Sequence, residues 1–360
     1  MSFWKKISFT FPFVLPPVGL VSAYLGGFYL LSLPILIFVI LPILDICMGG
    51  DKHNPSEQDV EHLSEQKYFR FLTYAWAFLQ LFYVIWACLF LTHSQLAIWE
   101  MALFALSTGL ITGGIGITVG HELGHKNTRW EQFLSKMIYM TVSYMHFFIE
   151  HNRGHHVHVS TMKDSATSRE NQSFYSFYPQ TVIGSFLSAW KIEAKRLQNQ
   201  NRPIWSLAND MIVYLLITFG FVASLTLFGS FYSAKFVWQI PVFFFLQSFV
   251  ATLLLELTNY IEHYGLERKE ISPGKFEKVD ITHSWNQNFF VSNAFLFHLQ
   301  RHSDHHANAN RRYQVLRHVN EAPQLPFGYE VMIVIALVPP LWFRLMNPRL
   351  ESWRKSLQHS

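Results

Sequence analysis

Charge is scarce in this chain. Of its 360 residues only 14% are Asp, Glu, Lys or Arg, where soluble domains carry about a quarter. The shortfall excludes an ordinary water-facing surface and points to lipid. Cysteine is scarcer still: Cys47 and Cys88 are the only two, both in or beside apolar runs. A disulfide scaffold and a cysteine-ligated iron site are thereby excluded. No internal repeat of roughly 20–50 residues and no low-complexity tract occurs. The net charge of +4 is modest, and no nucleic-acid partner is expected.

Apolar sequence is abundant: half of the residues are hydrophobic and 17% are aromatic. Runs near 20 residues long, enough to span ~30 Å of hydrocarbon, recur several times. The opening MSFWKK and its apolar continuation differ from a signal peptide, whose apolar core is only about 7–15 residues; here apolarity continues, broken at Gly26-Gly27, to Ile46. The expected fold is an all-α integral membrane protein with six transmembrane helices, at about 13–25, 30–46, 69–91, 96–120, 207–228 and 237–260. Residues 121–206 and 261–360 then form a cytoplasmic, histidine-rich helical cap, the whole chain being one domain. Gly109, Gly113, Gly114 and Gly116 suit close helix approach in lipid. The short apolar segment 137–149 is expected at the membrane interface, and the run 329–346, with Pro339-Pro340, as a re-entrant or interfacial helix. Loops 26–29, 92–95 and 229–236 hold one of the 28 Lys and Arg residues, Lys235. The positive-inside rule places those loops outside and every histidine cluster on the cytoplasmic side.

Histidine is what the polar stretches concentrate. Eight of the 18 histidines fall in three short motifs: HELGHK at 121–126, EHNRGHH at 150–156 and LQRHSDHH at 299–306. His121 and His125 are four apart, on one helical face. His302, His305 and His306 again share a face. His151, His155 and His156 do not quite, so one of the adjacent pair turns to a different partner. NYIEHYGL at 259–266 adds His263. Nine imidazoles exceed the four that one tetrahedral zinc takes, and suggest two ions with four or five ligands each. Imidazole suits zinc, copper, iron and nickel, so ligand type alone names no metal. HELGH also fits the zinc-protease pattern H-E-x-x-H, but that leaves the other histidines unexplained. A metal transporter would continue its ligands along a path through the bilayer; these gather at helix ends. Glu122, Glu150, Asp164, Glu262 and Asp304 are candidates to orient the imidazoles, Asp164 and Glu262 foremost. His146, His158, His283 and His298 are expected in outer-shell or structural roles, and His53, His62, His93, His318 and His359 as bystanders.

Together HELGHK, EHNRGHHVHVST, NYIEHYGL and LQRHSDHH resemble the membrane alkane 1-monooxygenase (alkane ω-hydroxylase) family and, more loosely, xylene monooxygenases and the histidine-box desaturases. The likeness runs from about DICMGGDKHNP at 45–55 to the final apolar run. His158 departs from the pattern. The resemblance implies two non-haem irons in a bacterial cytoplasmic (inner) membrane, ligated by His121, His125, His151, His155, His156, His263, His302, His305 and His306. It implies O2-dependent terminal hydroxylation of medium-to-long n-alkanes drawn from the bilayer. A fatty-acyl desaturase or xylene-type methyl hydroxylase is the alternative on the same centre. No C-x-x-C pair signals a fused rubredoxin, so a separate rubredoxin with an NAD(P)H-dependent reductase is the expected donor. Ile37, Ile40 and Trp76 are candidate walls of a substrate channel between the second, third and fourth helices. Arg153, Arg301, Arg311, Arg312 and Arg317 are candidates to dock the donor.

Overall fold

The computed structural model describes residues 1–358, so His359 lies outside the described residues. Among the described residues the regular structure is helical apart from one hairpin, Glu270–Ser272 paired with Lys275–Phe276 around Gly274, and two isolated bridges, Gly50 with Phe289 and Asn286 with Gln324. That hairpin departs from the all-α expectation, and its turn chemistry is in the sequence: Pro273 and a glycine at positive φ.

Among the described residues, five helices are long and apolar enough to cross a membrane: Gly27–Met48, Lys67–Phe90, Ile98–Gly124, Asp210–Tyr232 and Gln239–His263. The sixth expected span corresponds to Phe11–Leu25, which is apolar but falls in the shorter class of 10–17 residues. A straight helix rises about 1.5 Å per residue, so ~30 Å asks for about 20 residues. The starts of all five lie two or three residues from those expected. The expected helix from 207 begins only at Asp210, because Asn209 Oδ1 accepts the Met211 N–H at 2.9 Å and caps it. The last span begins at Gln239 and runs on to His263, so that histidine belongs to the membrane helix itself.

The Phe11–Leu25 and Gly27–Met48 helices form a hairpin. Gly26 and Gly27 turn it with φ of 64° and 55°, a region glycine enters without steric cost. The Gly27 N–H donates to Glu100 Oε1 at 2.7 Å, which ties the turn to the start of the 98–124 helix. At the other end Lys5 pairs with Asp51. Asp45 Oδ1 accepts the N–H groups of Val291 and Ser292 at 3.0 and 2.9 Å, joining this hairpin to the polar layer.

Glycine sets the central contact. A Cβ on Gly113 would lie 2.6 Å from Ala251 Cα, and one on Gly109 would lie 2.4 Å from Val250 Cβ. The 98–124 and 239–263 helices therefore pack backbone to backbone. A buried polar chain crosses the same region. Trp76 Nε1 donates to Gln80 Oε1 (3.1 Å), Gln80 Nε2 to Thr141 Oγ1 (2.8 Å), Gln247 Nε2 to the Thr141 carbonyl (2.8 Å), and Thr112 Oγ1 to Gln247 Oε1 (2.9 Å). Polar groups away from water must find such partners inside the protein.

Two apolar segments differ from expectation. Residues 137–149 are the end of helix Arg129–Met140, a turn with Ser143 at φ 53°, and the start of Phe147–Glu150. Val142, Tyr144, Phe147 and Ile149 are buried in the core, not laid on an interface. The last run splits into Tyr329–Ala336 and Pro339–Gln358. Proline cannot continue the first helix but suits the first turn of the second. Trp342, Met346 and Leu350 of the second pack on Tyr260 and Tyr264.

Candidate metal centre

Four segments deliver the nine imidazoles to one place. His121 sits in the last turn of the 98–124 helix and His125 just beyond it. His263 ends the 239–263 helix. His302, His305 and His306 lie on the short helix His302–Ala307. His151 to His156 form a wide, π-helical turn, closed by the His156 N–H bonding the His151 carbonyl five residues back. Such turns are rare and concentrate at functional sites. This one aims the adjacent His155 and His156 at different neighbours.

The rings sort into two sets. Ligand nitrogens of His121, His125, His151, His156 and His305 all lie within 4.8 Å of one another. His155, His263 and His306 form a second such group, and Glu262, His263 and His302 a third that shares His263. His302 joins the second set through His306, their Nε2 atoms 2.9 Å apart. In the first set Nε2 atoms face each other at 3.2 Å for His121 and His125, 3.1 Å for His125 and His151, and 3.0 Å for His151 and His156. The buried Nε2 atoms of His155, His263 and His305 have no hydrogen-bond partner. Orphaned buried nitrogens are costly and need a reason. Inward-facing, proton-free imidazole nitrogens suit a divalent cation, so the donor set fits two metal ions.

Electrostatics agree. Burial first, then the neighbouring imidazoles, holds His125, His151, His156, His302, His305 and His306 well below the usual histidine range. They are neutral at pH 7, the form that binds metal. Two carboxylates touch the rings. Asp164 Oδ2 takes a hydrogen bond from His155 Nδ1 at 2.9 Å, leaving Nε2 to face inward. Burial opposes ionisation of Asp164, but His155, Thr167 and the Ala166 N–H outweigh it and hold the carboxyl below its ordinary value. Glu262 Oε2 lies 3.2 Å from His302 Nε2, and its Oε1 accepts from the Tyr329 hydroxyl at 2.8 Å. The other three acids do different work. Glu122 pairs with Lys126, Asp304 with Arg311, and Glu150 is buried against Gly154.

The sequence did not single out Thr167 and Tyr329, and it gave His283 an outer-shell or structural role without pointing to its carbonyl. The His283 carbonyl faces His263 Nδ1 at 3.3 Å, Thr167 bonds Asp164 at 2.6 Å, and Tyr329 holds Glu262. A backbone carbonyl leaves no trace in residue type, and Thr167 and Tyr329 lie in no histidine motif. Of the outlying histidines, His146 packs on Tyr144 and Phe186, His298 bonds the Tyr313 carbonyl, and His158 makes no ring contact with the nine among the described residues.

An apolar cavity opens onto the first and second sets. Leu15, Ile37, Phe38, Leu41, Leu110 and Leu254 line it, with His121, His151, His302 and Glu262. From Leu110 to His121 the helix rises on the order of 16 Å. Ile37 is thus a wall. Ile40 is not: it is 41% exposed, on the outer face. Trp76 is fully buried, bonded to Gln80, and outside the cavity. The 239–263 helix, rather than 67–90, joins 27–48 and 98–124 among the walls, with Phe295, Leu299, Tyr329 and Ile333.

Four of the five candidate docking arginines are tied inside the chain. Arg301 is buried and donates to the Leu316 and Asp51 carbonyls; Arg311 pairs with Asp304, Arg312 with Glu131 and Arg317 with Glu57. Arg153 is exposed.

The fatty acid desaturase family model matches residues 97–336. The chain is 45% identical to alkane 1-monooxygenase 2 of Pseudomonas aeruginosa over 88% of its own length and 83% of that protein. It is 44% identical to alkane 1-monooxygenase 2 of Alcanivorax borkumensis, over 88% and 81%. With alkane 1-monooxygenase 1 of Pseudomonas aeruginosa the identity is 43%, over 91% and 84%.

Proposed function

The chain belongs to the fatty acid desaturase family, and within it to the alkane 1-monooxygenases, and from that premise we propose that it hydroxylates the terminal methyl group of medium-to-long n-alkanes. The observation that carries this reading is the meeting of nine imidazoles, eight of them buried, with an apolar cavity. The overall change is alkane + O2 + two electrons + two protons to 1-alkanol + water. An unactivated C–H bond is beyond side-chain acid–base chemistry, so bound iron supplies the oxidising power.

His121, His125, His151, His156 and His305 would hold one iron, and His155, His263, His302 and His306 the other. The rest of the task is the protein's. Asp164 fixes the His155 ring through Nδ1, and Glu262, which meets the same His302 Nε2 that faces His306, would stand beside the ion with that ring. Leu15, Ile37, Leu41 and Leu110 hold the chain in line, keep water out, and present its end at the histidine layer, a positioning effect. A buried CH2 contributes about 0.8 kcal/mol against water. Against lipid that gain nearly vanishes, so cavity shape sets the preferred length.

Electrons come from rubredoxin, itself reduced by an NAD(P)H-dependent reductase. The histidine layer faces the cytoplasm of a bacterial inner membrane, as the single Lys235 in the opposite loops supports. Phe11–Leu25 completes a sixth pass. The Lys5–Asp51 pair at one end of the hairpin and the Gly27–Glu100 bond at the other support this.

The test is product analysis on purified protein with rubredoxin, its reductase, NADH and 18O2. Octane should give 1-octanol carrying one labelled oxygen. Labelled methylbenzyl alcohol from xylene, or an unsaturated product from a stearoyl substrate, with octane untouched, would favour the alternative on the same centre.

A further inference from the structure

The cavity that meets the histidine layer is not wholly apolar. Apart from the histidines, most of its polar walls are engaged. Thr118 Oγ1 donates to the Gly114 carbonyl (2.7 Å), Thr258 Oγ1 to the Leu254 carbonyl (3.0 Å) and Asn259 Nδ2 to Glu256 (3.0 Å), while the Tyr329 hydroxyl donates to Glu262 (2.8 Å). Two lining residues differ. Ser292 is 1% exposed, and its Oγ has no hydrogen-bond partner among the described residues. Glu330 Oε1 is likewise buried and unpartnered. An unmatched buried polar atom is costly and needs a reason. A saturated hydrocarbon supplies none, having no hydrogen bond to offer.

Both residues stand beside the histidine layer. Tyr329, the neighbour of Glu330, reaches Glu262. Ser292 lies on the short helix Phe290–Phe295, where Asp45 Oδ1 holds its N–H at 2.9 Å. Asp45 also backs Glu330, and it sits in the last turn of the Gly27–Met48 helix, the end of that span nearest the polar layer. Burial, and then Asp45, pushes the Glu330 carboxyl up to about 8. At pH 7 it is therefore neutral and faces the cavity without the cost of a buried charge.

We propose that Ser292 and Glu330 form a hydroxyl subsite, which takes the primary alcohol made in the cavity and makes no bond to the alkane that enters it. The proposal rests on the reading that the cavity makes 1-alkanols. An alcohol has one O–H to give and lone pairs to receive with. Glu330 Oε1 accepts the first, and the Ser292 hydroxyl donates to the second. The product is thus held by a contact the substrate lacks. It is drawn onto the 290–295 and 329–336 helices, which clears the histidine layer for the next methyl group.

The test is equilibrium binding of radiolabelled 1-decanol and decane to purified, iron-loaded protein without reductant, so that no turnover occurs. Wild type is compared with Ser292→Ala, Glu330→Leu and Glu330→Gln, with melting and iron content measured for each. Ser292→Ala and Glu330→Leu should each weaken decanol binding about five- to tenfold, the reach of one hydrogen bond, and change decane binding less than about twofold. Glu330→Gln keeps an acceptor and should bind decanol within about twofold of wild type. If Glu330→Leu does not fold, Ser292→Ala alone decides. Unchanged decanol affinity, or an equal loss for both ligands, would overturn the subsite. Wild type that makes no 1-octanol from octane with its full electron supply would instead overturn the reading beneath it.

Discussion

Asp164 decides which nitrogen His155 presents. With Nδ1 committed to the carboxylate at 2.9 Å, only Nε2 is left to face the second set. Asp164→Asn should therefore lower iron affinity about 10- to 100-fold, the usual cost of losing such a partner. Asp304→Asn should leave affinity unchanged, since Asp304 holds Arg311 and the Arg317 N–H rather than a ring. Iron retained after dialysis against a chelator distinguishes them. A second residue-level contrast lies in the cavity. Ile37→Ala should shift the product profile towards longer alkanes across C6 to C16, and Ile40→Ala should not, because only Ile37 is a wall. The histidines could be read from the sequence because imidazoles bunched at the ends of apolar runs have few other uses. The wall residues could not, because an isoleucine looks the same whether it meets lipid or a cavity.

Wide helical turns explain part of that blindness at the element scale. Ile37 and Ile40 are three apart and would share a face on a regular helix. They fall in the π-helical stretch Leu36–Ile40, where the register is altered and their faces part. Residue spacing read with a 3.6 period misses such a turn; the adjacent His155 and His156, needing different partners, were the sign of one at 151–155. Helix approach was more legible, because runs of glycine have few other uses in a span. Gly113→Leu should lower stability by about 1–3 kcal/mol by forcing a side chain against Ala251. Gly114→Ala, whose Cβ would meet only Leu254 at an ordinary 3.5 Å, should be tolerated. Melting of the detergent-purified protein checks both.

The joint between the 329–336 helix and the hairpin gives a pH test. Burial, and then the neighbouring Asp45, pushes the Glu330 carboxyl up to about 8. The folded protein thus binds this proton more tightly than the unfolded chain does. Stability from this group is full at low pH and falls as pH rises from the ordinary glutamate range through about 8. Glu330→Gln should melt at a higher temperature than wild type at pH 9 and lose that advantage at pH 5. An advantage independent of pH would contradict the assignment.

For the molecule as a whole, composition sufficed for the class. Low charge and long apolar runs announced a helical membrane protein, and five helices meet the length a span requires. The first hairpin arm was harder to place because its prolines and the glycine turn interrupt an apolar stretch without marking where lipid ends. The C-terminal run breaks at Pro339-Pro340; Trp342, Met346 and Leu350 of its second half cover Tyr260 and Tyr264, while Val334, Val338 and Leu341 stay exposed. The ion pairs of Arg312 and Arg317 were opaque because their partners Glu131 and Glu57 lie far away in sequence. What unites the chain is that segments from 121 to 306 bring their imidazoles to one layer.

Metal analysis of purified, catalytically active protein, with Mössbauer spectra of the iron-57 form, probes that convergence most directly. Two irons per chain in nitrogen-rich sites are expected, with iron lost in both His125→Ala, from the first set, and His263→Ala, from the second. Full activity with a single iron, with another metal, or with none would contradict it.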